Sequence, residues 1–404
     1  MNVSVLAKTG MWIPRKGVLM SAIIVLMAAA ALCQGAWAED AQASDGVEAE
    51  KPLVGAYYYP WYRASRRDSD IGWMDRALRG RLEPRQLPKL GVYDSRNAEI
   101  IGSHIAQSLR GGIDFWVVSW WGPGHSRSGD FKNDILSHAE AGKLKYALFY
   151  ESTGRFGPFD KPSFKTLVDD FKHMAENYFD NPHYLKIDGK PVVYIYLTHA
   201  YFRDGGHAEL RRLREELPDV YLVGDDVFGK DGPGGQYRPK YARLWDAVTA
   251  YDVYGQSSKS LGGTRAALDK LNATYASARK TANAVGTGFI PAVSAGYNDR
   301  AVREGHPGRA RYFSDVPGSK EGDIFRAMIR DVGLPNLDPR TGNIMMVNSF
   351  NEWYEDTQIE ATAGIAVPTA KDDSKSGTFY TEGDTYTDYE YLYLDILREE
   401  TKGK

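Results

Sequence analysis

The chain has 404 residues, enough for one large domain or two ordinary ones, and its 43% hydrophobic and 25% charged content is typical of a globular protein. The formal net charge of -3 argues against the strongly basic surface of a nucleic-acid-binding protein. The 26 Tyr, 9 Trp and 15 Phe suit either a large core or a surface that stacks against flat ligands, and only their positions can decide.

Residues 1–38 are predicted to be a signal peptide. Basic residues precede an apolar run over 18–32 that is too short to span a bilayer comfortably, and an Ala-Trp-Ala cleavage site ends at Ala38. Residues 39–51 are polar and acidic and predict a flexible leader. We therefore expect export to the periplasm or the cell exterior, and a mature chain without a membrane span.

The single cysteine, Cys33, lies within this signal region. Cleavage after Ala38 would leave a mature chain without cysteine, which excludes disulfides and cysteine catalysis. Lipid attachment at Cys33 stays open as an alternative, although Leu32 before it is bulky for that processing.

Eight short segments rich in Val, Ile and aromatic residues follow, and they predict β-strands at 54–59, 114–121, 145–151, 191–197, 221–228, 247–254, 288–294 and 343–350. Segments with helical periodicity lie between or after them, at 95–110, 163–178, 207–217, 263–283, 319–332 and 386–400. Eight such repeats predict one α/β domain over 52–404, a single (β/α)8 TIM barrel. A doubly wound open sheet is the main alternative, but no Gly-rich phosphate loop follows the first strand.

Long connections follow the first and seventh predicted strands, at 60–94 and 297–317. In a barrel both belong to the C-terminal face, where the strand ends meet and active sites form. Long loops in that position usually have a functional role.

Aromatic and charged residues recur at successive predicted strand ends. The candidates for binding a ligand there are Tyr58, Tyr59, Trp61, Trp121, Glu151, His199, Tyr254, Asn298, Arg300 and Trp353. Alternation along a strand predicts that one of Trp120 and Trp121 packs in the interior and the other lies at the rim, and Trp121 is the candidate for binding. Asp225 and Asp226 lack the spacing of a metal site, so no metal is expected.

Glu352 and Glu355 follow the last predicted strand, three residues apart around a Trp. Hydrolysis of a glycosidic bond needs one carboxylic acid and one carboxylate, and flat rings beside them give a sugar a stacking surface. Two neighbouring carboxylates also raise each other's pKa, which keeps one protonated. The spacing therefore predicts a catalytic pair, and the alternative is an acidic start to a surface helix. Glu360 is interpreted as structural or peripheral.

The segment from Phe350 to Glu360, FNEWYEDTQIE, closely resembles the signature of glycoside hydrolase family 99, the endo-acting α-mannosidases and mannanases. Five groups of residues before it add to the likeness in the right order, at 58–62, 90–96, 119–124, 186–191 and 296–300. The resemblance covers nearly all of the predicted mature chain.

This resemblance implies a retaining reaction in which Glu352 deprotonates the 2-hydroxyl of the sugar, whose oxygen attacks the anomeric carbon and gives a 1,2-anhydro sugar. Glu355 would protonate the departing oxygen and then help a water molecule to open the ring. Glu151 would hold a neighbouring sugar. Arg300 would be a binding residue, with Arg303 as the alternative arginine. No metal or organic cofactor is implied, and the expected partner is a polysaccharide or oligosaccharide.

Two positions depart from the family pattern, Tyr354 where His is frequent and Asp356 where Gly is frequent. A carboxylate at Asp356 is expected either to raise the pKa of the adjacent acid or to contact a different sugar. The expected function is an exported endo-acting hydrolase of α-mannan-like polysaccharide. The alternatives are a glycosidase of the same fold with another glycan, exo-action included, and a non-catalytic protein of carbohydrate binding or polysaccharide biosynthesis.

Overall fold

The computed structural model describes residues 51–404 except 65–69, 203–205, 229–241, 252, 254–262, 310, 367 and 404. The predicted signal peptide with Cys33, nearly all of the predicted leader, and Tyr254 therefore lie outside the described residues. Among the described residues no helix has the length and apolar character needed to cross a membrane.

A parallel sheet forms the centre of the fold. Its strands are β1 (Leu53–Tyr58), β2 (Phe115–Trp120), β3 (Lys145–Tyr150), β4 (Lys190–Ile195), β5 (Tyr221–Asp225), β6 (Ala247–Thr249), β7 (Gly288–Ile290), β8 (Ala292–Ser294) and β9 (Ile344–Asn348). They neighbour one another in the order β7-β6-β5-β4-β3-β2-β1-β9-β8. A two-residue strand, Lys186–Ile187, pairs antiparallel with β4.

β7 and β8 together occupy one position of a closed barrel, since only Pro291 separates them. β7 pairs with β6, and β8 pairs with β9. Proline has no N–H to give to the ladder, but the Pro291 carbonyl accepts a hydrogen bond from the Met346 amide at 2.9 Å. β1 pairs with both β9 and β2. Eight strand positions thus close the sheet, and the predicted (β/α)8 barrel is confirmed.

Helices connect the strands on the outside of the barrel. The α-helices of the described residues are α1 (Ala98–Gly111), α2 (Ser152–Phe156), α3 (Leu167–Met174), α4 (Thr198–Tyr201), α5 (His207–Glu216), α6 (Arg265–Asn283), α7 (Asp323–Ala327) and α8 (Leu392–Lys402). Wider π-helical turns lie at Phe131–Leu136, Ala175–Phe179 and Met328–Gly333, and 3-10 turns at Gly72–Arg76, Leu78–Arg81, Ala141–Lys143, Leu334–Asn336, Pro339–Thr341 and Trp353–Glu355.

The ends of α1 show how local sequence sets these bounds. The Asn97 side chain accepts a hydrogen bond from the Glu99 amide and caps the first turn, and Gly112 ends the helix at φ 72°. The last helix begins at Leu392 rather than at the predicted residue 386. Tyr386 instead exchanges backbone hydrogen bonds with Thr369, which removes it from the helix.

Aromatic side chains fill much of the barrel interior. Tyr57 lies 4.8 Å from the Phe149 ring and 4.9 Å from the Tyr251 ring, centroid to centroid. On the outer face of the barrel, Tyr58 of β1 stacks on Trp116 of β2 at 4.1 Å with an interplanar angle of 5°. A large share of the aromatic residues therefore belongs to the core, and another group lines the cavity described next.

Candidate active site

A cavity of about 420 Å³ opens where the strands end. Its wall is formed by Tyr59, Trp61, Arg76, Trp121, Arg127, Phe149, Glu151, Thr153, Tyr196, Tyr251, Val302, Arg303, Glu352, Tyr354 and Glu355. All of these residues lie at or beyond the carboxyl ends of their strands or in the loops that follow, which is where barrel enzymes place their chemistry. Both predicted catalytic glutamates therefore share one cavity.

Glu352 directly precedes the 3-10 turn Trp353–Glu355 and is buried at 2% exposure. Its Oε1 accepts a hydrogen bond from the Tyr354 amide at 3.0 Å. Its Oε2 has no hydrogen-bond partner among the described residues. Burial raises the pKa of Glu352 well above its usual value, and the neighbouring Glu355 adds to the rise. Burial thus favours the protonated form of this carboxyl group, and its Oε2 is available for a ligand.

Glu355 has a different environment, because a cation contacts it. Arg303 Nη1 lies 2.9 Å from Glu355 Oε1, and Arg303 is held in turn by the buried Asp299 at 2.6 Å. Burial raises the pKa of Glu355, and Arg303 opposes that rise. Its backbone carbonyl accepts the Asn298 amide at 2.8 Å, which fixes the turn. The pKa values of the two glutamates are therefore set by different surroundings.

Glu151 lies at the end of β3 and is 4% exposed. Ser119 Oγ donates a hydrogen bond of 2.6 Å to its Oε1. Burial raises the pKa of Glu151 to about 8, although the Ser119 hydrogen bond lowers it in part. A neutral carboxylic acid can donate one hydrogen bond and accept others, which suits contact with sugar hydroxyls.

The loop that carries the catalytic pair is fixed to the barrel. Asn351 Oδ1 accepts the Tyr59 amide at 2.8 Å, and Asn351 Nδ2 donates to the Tyr59 carbonyl at 3.0 Å. Ser349 Oγ accepts the Glu352 amide at 2.7 Å. Tyr62 hydroxyl donates to the Asn351 carbonyl at 2.8 Å and accepts the Trp353 amide at 3.0 Å. These bonds tie the loop after β9 to the end of β1 and set the backbone of Glu352.

Asp356 does not reach the cavity, contrary to the expectation that it contacts a sugar or raises the pKa of Glu355. The side chain is fully buried, and its backbone is left-handed with φ 48°. Its carboxylate contacts Arg79 Nε at 2.7 Å and Arg311 Nη2 at 3.0 Å. Burial acts to raise the pKa of Asp356, but the two arginines outweigh this effect, so the pKa lies below its usual value. Glu321 neutralises Arg79 from the other side at 2.9 Å. Asp356, which stands where the family pattern often has Gly, therefore belongs to a buried ion cluster behind the catalytic turn.

Glu360 lies in a second buried polar group, as its structural interpretation predicted. Its carboxylate accepts hydrogen bonds from Trp353 Nε1 at 2.8 Å and Tyr93 hydroxyl at 2.7 Å, and it contacts His104 Nε2 at 3.1 Å. Trp353 is therefore a core residue that anchors the loop, and it does not line the cavity.

Four further predicted binding residues lie outside the cavity wall. Tyr58 is fully buried with its hydroxyl 3.0 Å from His104 Nδ1. His199 is buried, and its Nδ1 donates to the Asp225 carbonyl at 2.9 Å. Asn298 and Arg300 bind loop backbone instead, at the carbonyls of Tyr380 and Phe379 respectively. Each of these side chains is occupied by the protein itself, so their predicted contacts with a sugar gain no support from their positions.

The remaining predicted residues divide as follows. Tyr59, Trp61, Trp121 and Glu151 line the cavity, and Trp121 lies at the rim while Trp120 packs against Tyr150 as predicted. Tyr254 lies outside the described residues. Among the described residues no cluster of three or more His, Cys, Asp or Glu side chains could hold a metal ion.

Comparison with known proteins shows what the chain is similar to. Residues 82–205 match the model of glycosyl hydrolase family 99. A human glycoprotein endo-alpha-1,2-mannosidase-like protein is 24% identical over 352 residues, 78% of this chain and 69% of that protein. The rat glycoprotein endo-alpha-1,2-mannosidase is 22% identical over 384 residues, 86% of this chain and 74% of that protein.

The fold of a solved family member agrees with this. The GH99 endo-alpha-mannosidase of Bacteroides thetaiotaomicron superposes with a TM-score of 0.59 at 23% identity, over 87% of this chain and 96% of that one. The chain is related to glycoside hydrolase family 99. The predicted resemblance and the predicted assignment to the glycoside hydrolases are thereby confirmed.

Sequence reasoning did not reveal every residue of the cavity. Arg76 enters from the long loop after β1, and Tyr196 and Tyr251 follow β4 and β6. The two tyrosines lie one or two residues past a strand, a position that strand-end reasoning can identify. Arg76 ends a short 3-10 turn within the long loop after β1, and no periodic pattern in the sequence predicts the path of that loop.

Proposed function

We propose that the chain is an exported, endo-acting glycoside hydrolase of α-mannan-like polysaccharide that retains the configuration at the anomeric carbon. The observation that carries this proposal is the shared cavity of Glu352 and Glu355, with aromatic rings beside both. The mannosidase names of the relatives support an α-mannoside substrate. The predicted signal peptide supports export.

In the proposed reaction Glu352 takes the proton of the sugar 2-hydroxyl, and that oxygen attacks the anomeric carbon. The glycosidic bond breaks as Glu355 gives its proton to the departing oxygen. A 1,2-anhydro sugar remains in the cavity. Water then attacks the anomeric carbon and gives a proton to Glu355, while the bond between that carbon and the 2-oxygen breaks and Glu352 returns a proton to the 2-oxygen. Each glutamate thus regains its initial protonation state.

This sequence requires Glu352 ionised and Glu355 protonated when the sugar is bound. Burial raises the pKa of both groups, and Arg303 opposes the rise more directly at Glu355, which it contacts, than at Glu352. The proposed reaction therefore requires the bound sugar to favour the ionised form of Glu352 and to weaken the contact between Arg303 and Glu355. Half of the Arg303 side chain is exposed, at 49%, so it has room to turn toward a ligand. The pair is expected to titrate as a unit with two macroscopic pKa values.

The test is a screen of the purified protein against α-mannans and other glycans, with the products identified by mass spectrometry. Glu352→Gln and Glu355→Gln keep the shape of each side chain and remove its acid, so each should lower kcat by about 10²–10⁴-fold. Glu215→Gln is the matched control, because Glu215 is an exposed glutamate of α5 outside the cavity wall.

Substrate binding and the melting temperature should change little in the two cavity variants. Turnover that stays at the wild-type level in both would refute the assignment of the pair. Edman sequencing of the protein recovered from culture medium or periplasm tests export, and an uncleaved chain in the cytoplasm would contradict it.

A further inference from the structure

Two arginines lie over aromatic rings at the wall of the cavity. Arg76 Cζ is 5.1 Å from the centroid of the Tyr354 ring, and Arg127 Cζ is 4.5 Å from the centroid of the Trp121 ring. Both arginines are exposed, and both line the cavity. A guanidinium group on a ring face keeps its N–H donors at the ring edge, where a ligand on the same surface can reach them.

The two rings belong to one aromatic surface. Trp61 lies between them, with its ring centroid 6.5 Å from that of Tyr354 and 6.1 Å from that of Trp121. Trp61 and Tyr354 are nearly parallel, with an interplanar angle of 22°. The surface therefore has an arginine over the outer ring at each end.

Neither arginine has an acidic partner in the described part of the chain. No carboxylate there forms an ion pair with Arg76 or Arg127, and each contacts its ring instead. Arg303, the third arginine of the cavity, differs because it contacts both Asp299 and Glu355. The charge at the two ends of the surface is thus available to a ligand.

The glutamates of the cavity do not cancel this charge. Burial raises the pKa of Glu151 to about 8, so this acid is largely neutral at pH 7, and burial also favours the neutral form of Glu352 by raising its pKa. Glu355 is the remaining glutamate, and it contacts Arg303. A cavity wall with two further arginines that have no acidic partner favours an anionic ligand, whereas an uncharged sugar chain needs only rings and hydroxyl partners.

We propose that the glycan bound in this cavity carries anionic substituents, and that Arg76 and Arg127 bind them at the two ends of the aromatic surface. The substituent is a phosphate, a sulfate ester or a carboxylate, since all three accept paired hydrogen bonds from a guanidinium group. This inference rests on the proposed function and specifies the substrate class of the same site.

The experiment compares α-manno-oligosaccharides of one length that bear a phosphate, a sulfate ester or a glucuronic acid side group with the neutral parent compound. Binding to the full chain carrying Glu352→Gln is measured by calorimetry, and kcat/KM is measured with the wild-type protein. Arg76→Gln, Arg127→Gln and the double variant are tested in both backgrounds. The control is Arg340→Gln, an exposed arginine in the turn Pro339–Thr341 that precedes β9 and so lies at the opposite end of the barrel.

At least one charged ligand should bind about tenfold more tightly than the neutral parent, and added NaCl should weaken that preference. Each single variant should reduce the preference, the double variant should abolish it, and Arg340→Gln should leave it intact. The charged group that shows the preference identifies the source of the anion. Equal affinity for the neutral and all charged ligands, or an unchanged preference in the double variant, would overturn the proposal.

The outcome also separates this inference from the proposed function. Turnover of neutral mannan with no preference for charged ligands would refute the inference alone. Preferential binding of charged ligands without cleavage of any of them would refute the hydrolase and leave the anion site in place.

Discussion

The buried carboxylate of Asp356 offers the sharpest test of how the catalytic turn is held. Asp356 is fully buried between Arg79 and Arg311, at 1% and 0% exposure, and it follows Glu355 directly. Asp356→Asn keeps the size of the side chain and its tolerance of the left-handed backbone at φ 48°, and removes only the charge. The two arginines then share Glu321 as their nearest anion, at 2.9 Å and 4.0 Å.

Removing one partner of a buried ion pair costs about 3–5 kcal/mol, because an uncompensated charge stays in the interior. That is a large part of the roughly 5–15 kcal/mol by which a folded domain is stable. For a barrel of this size the melting temperature should fall by roughly 5 °C. Asp356 follows Glu355 directly, so weaker contacts between Asp356 and the two arginines should also loosen the position of Glu355. We therefore expect kcat to fall more than substrate affinity.

The assay is urea unfolding at pH 7, with the exposed pair Arg110–Asp395 as the control. That pair has a similar geometry at 2.7 Å, but its side chains are 48% and 44% exposed, so Asp395→Asn should cost less than about 1 kcal/mol. Adding Arg311→Met to Asp356→Asn removes the unpaired cation and should recover part of the lost stability, a coupling of about 0.5–3 kcal/mol.

The same cluster predicts a pH dependence. The folded-state pKa of Asp356 is lowered, so its contribution to stability is present above the unfolded pKa of about 3.9 and is lost as the pH falls through the folded value. The difference between wild type and Asp356→Asn should shrink in acid. A cost at pH 7 no larger than that of Asp395→Asn would refute the argument that this charge holds the turn.

Two further predictions concern residues of the cavity wall. Burial raises the pKa of Glu151 to about 8, so its stabilising contribution is present below the unfolded pKa of about 4.3 and is lost as the pH rises through 8. The melting temperature of Glu151→Gln relative to wild type should therefore rise between pH 5 and pH 8, and a difference that is constant with pH would contradict the buried acid. Trp121→Ala should raise KM for long substrates more than for short ones with little change in melting temperature, because Trp121 is only partly buried at the rim; a protein that no longer unfolds cooperatively would instead make Trp121 a core residue.

The strands were predictable because a parallel barrel buries both faces of each strand, and continuous apolar runs such as residues 344–347 of β9 leave a plain signal. The segment from 288 to 294 is apolar up to Ser294 and was predicted as one strand, whereas the structure divides it at Pro291. The last helix was predicted six residues early, because nothing local in the sequence reveals that Tyr386 pairs with the distant Thr369.

The site was predictable to the extent that strand ends define it. Glu352, Glu355 and Glu151 follow strands and line the cavity. Which of two adjacent residues faces the cavity depends on the course of the chain just past the strand, so Tyr59 lines it while Tyr58 turns outward to stack on Trp116. Contacts between distant loops are beyond such reasoning, and the pairing of Arg76 with Tyr354 is an example.

The buried carboxylates of the catalytic loop separate into two groups by their hydrogen bonds. Glu360 has three donors around it, and Asp356 has two guanidinium groups, so the burial of each is compensated.

Glu352 is buried to nearly the same degree, yet a single backbone amide lies within 3.0 Å of its carboxylate and Oε2 has no hydrogen-bond partner in the described structure. The loop thus provides hydrogen-bond partners for two carboxylates, while the third faces the cavity. Oε2 of Glu352 is its one buried carboxylate oxygen without a partner among the described residues. That atom is where a bound sugar hydroxyl would recover the missing hydrogen bond, so binding and proton transfer would draw on the same interaction.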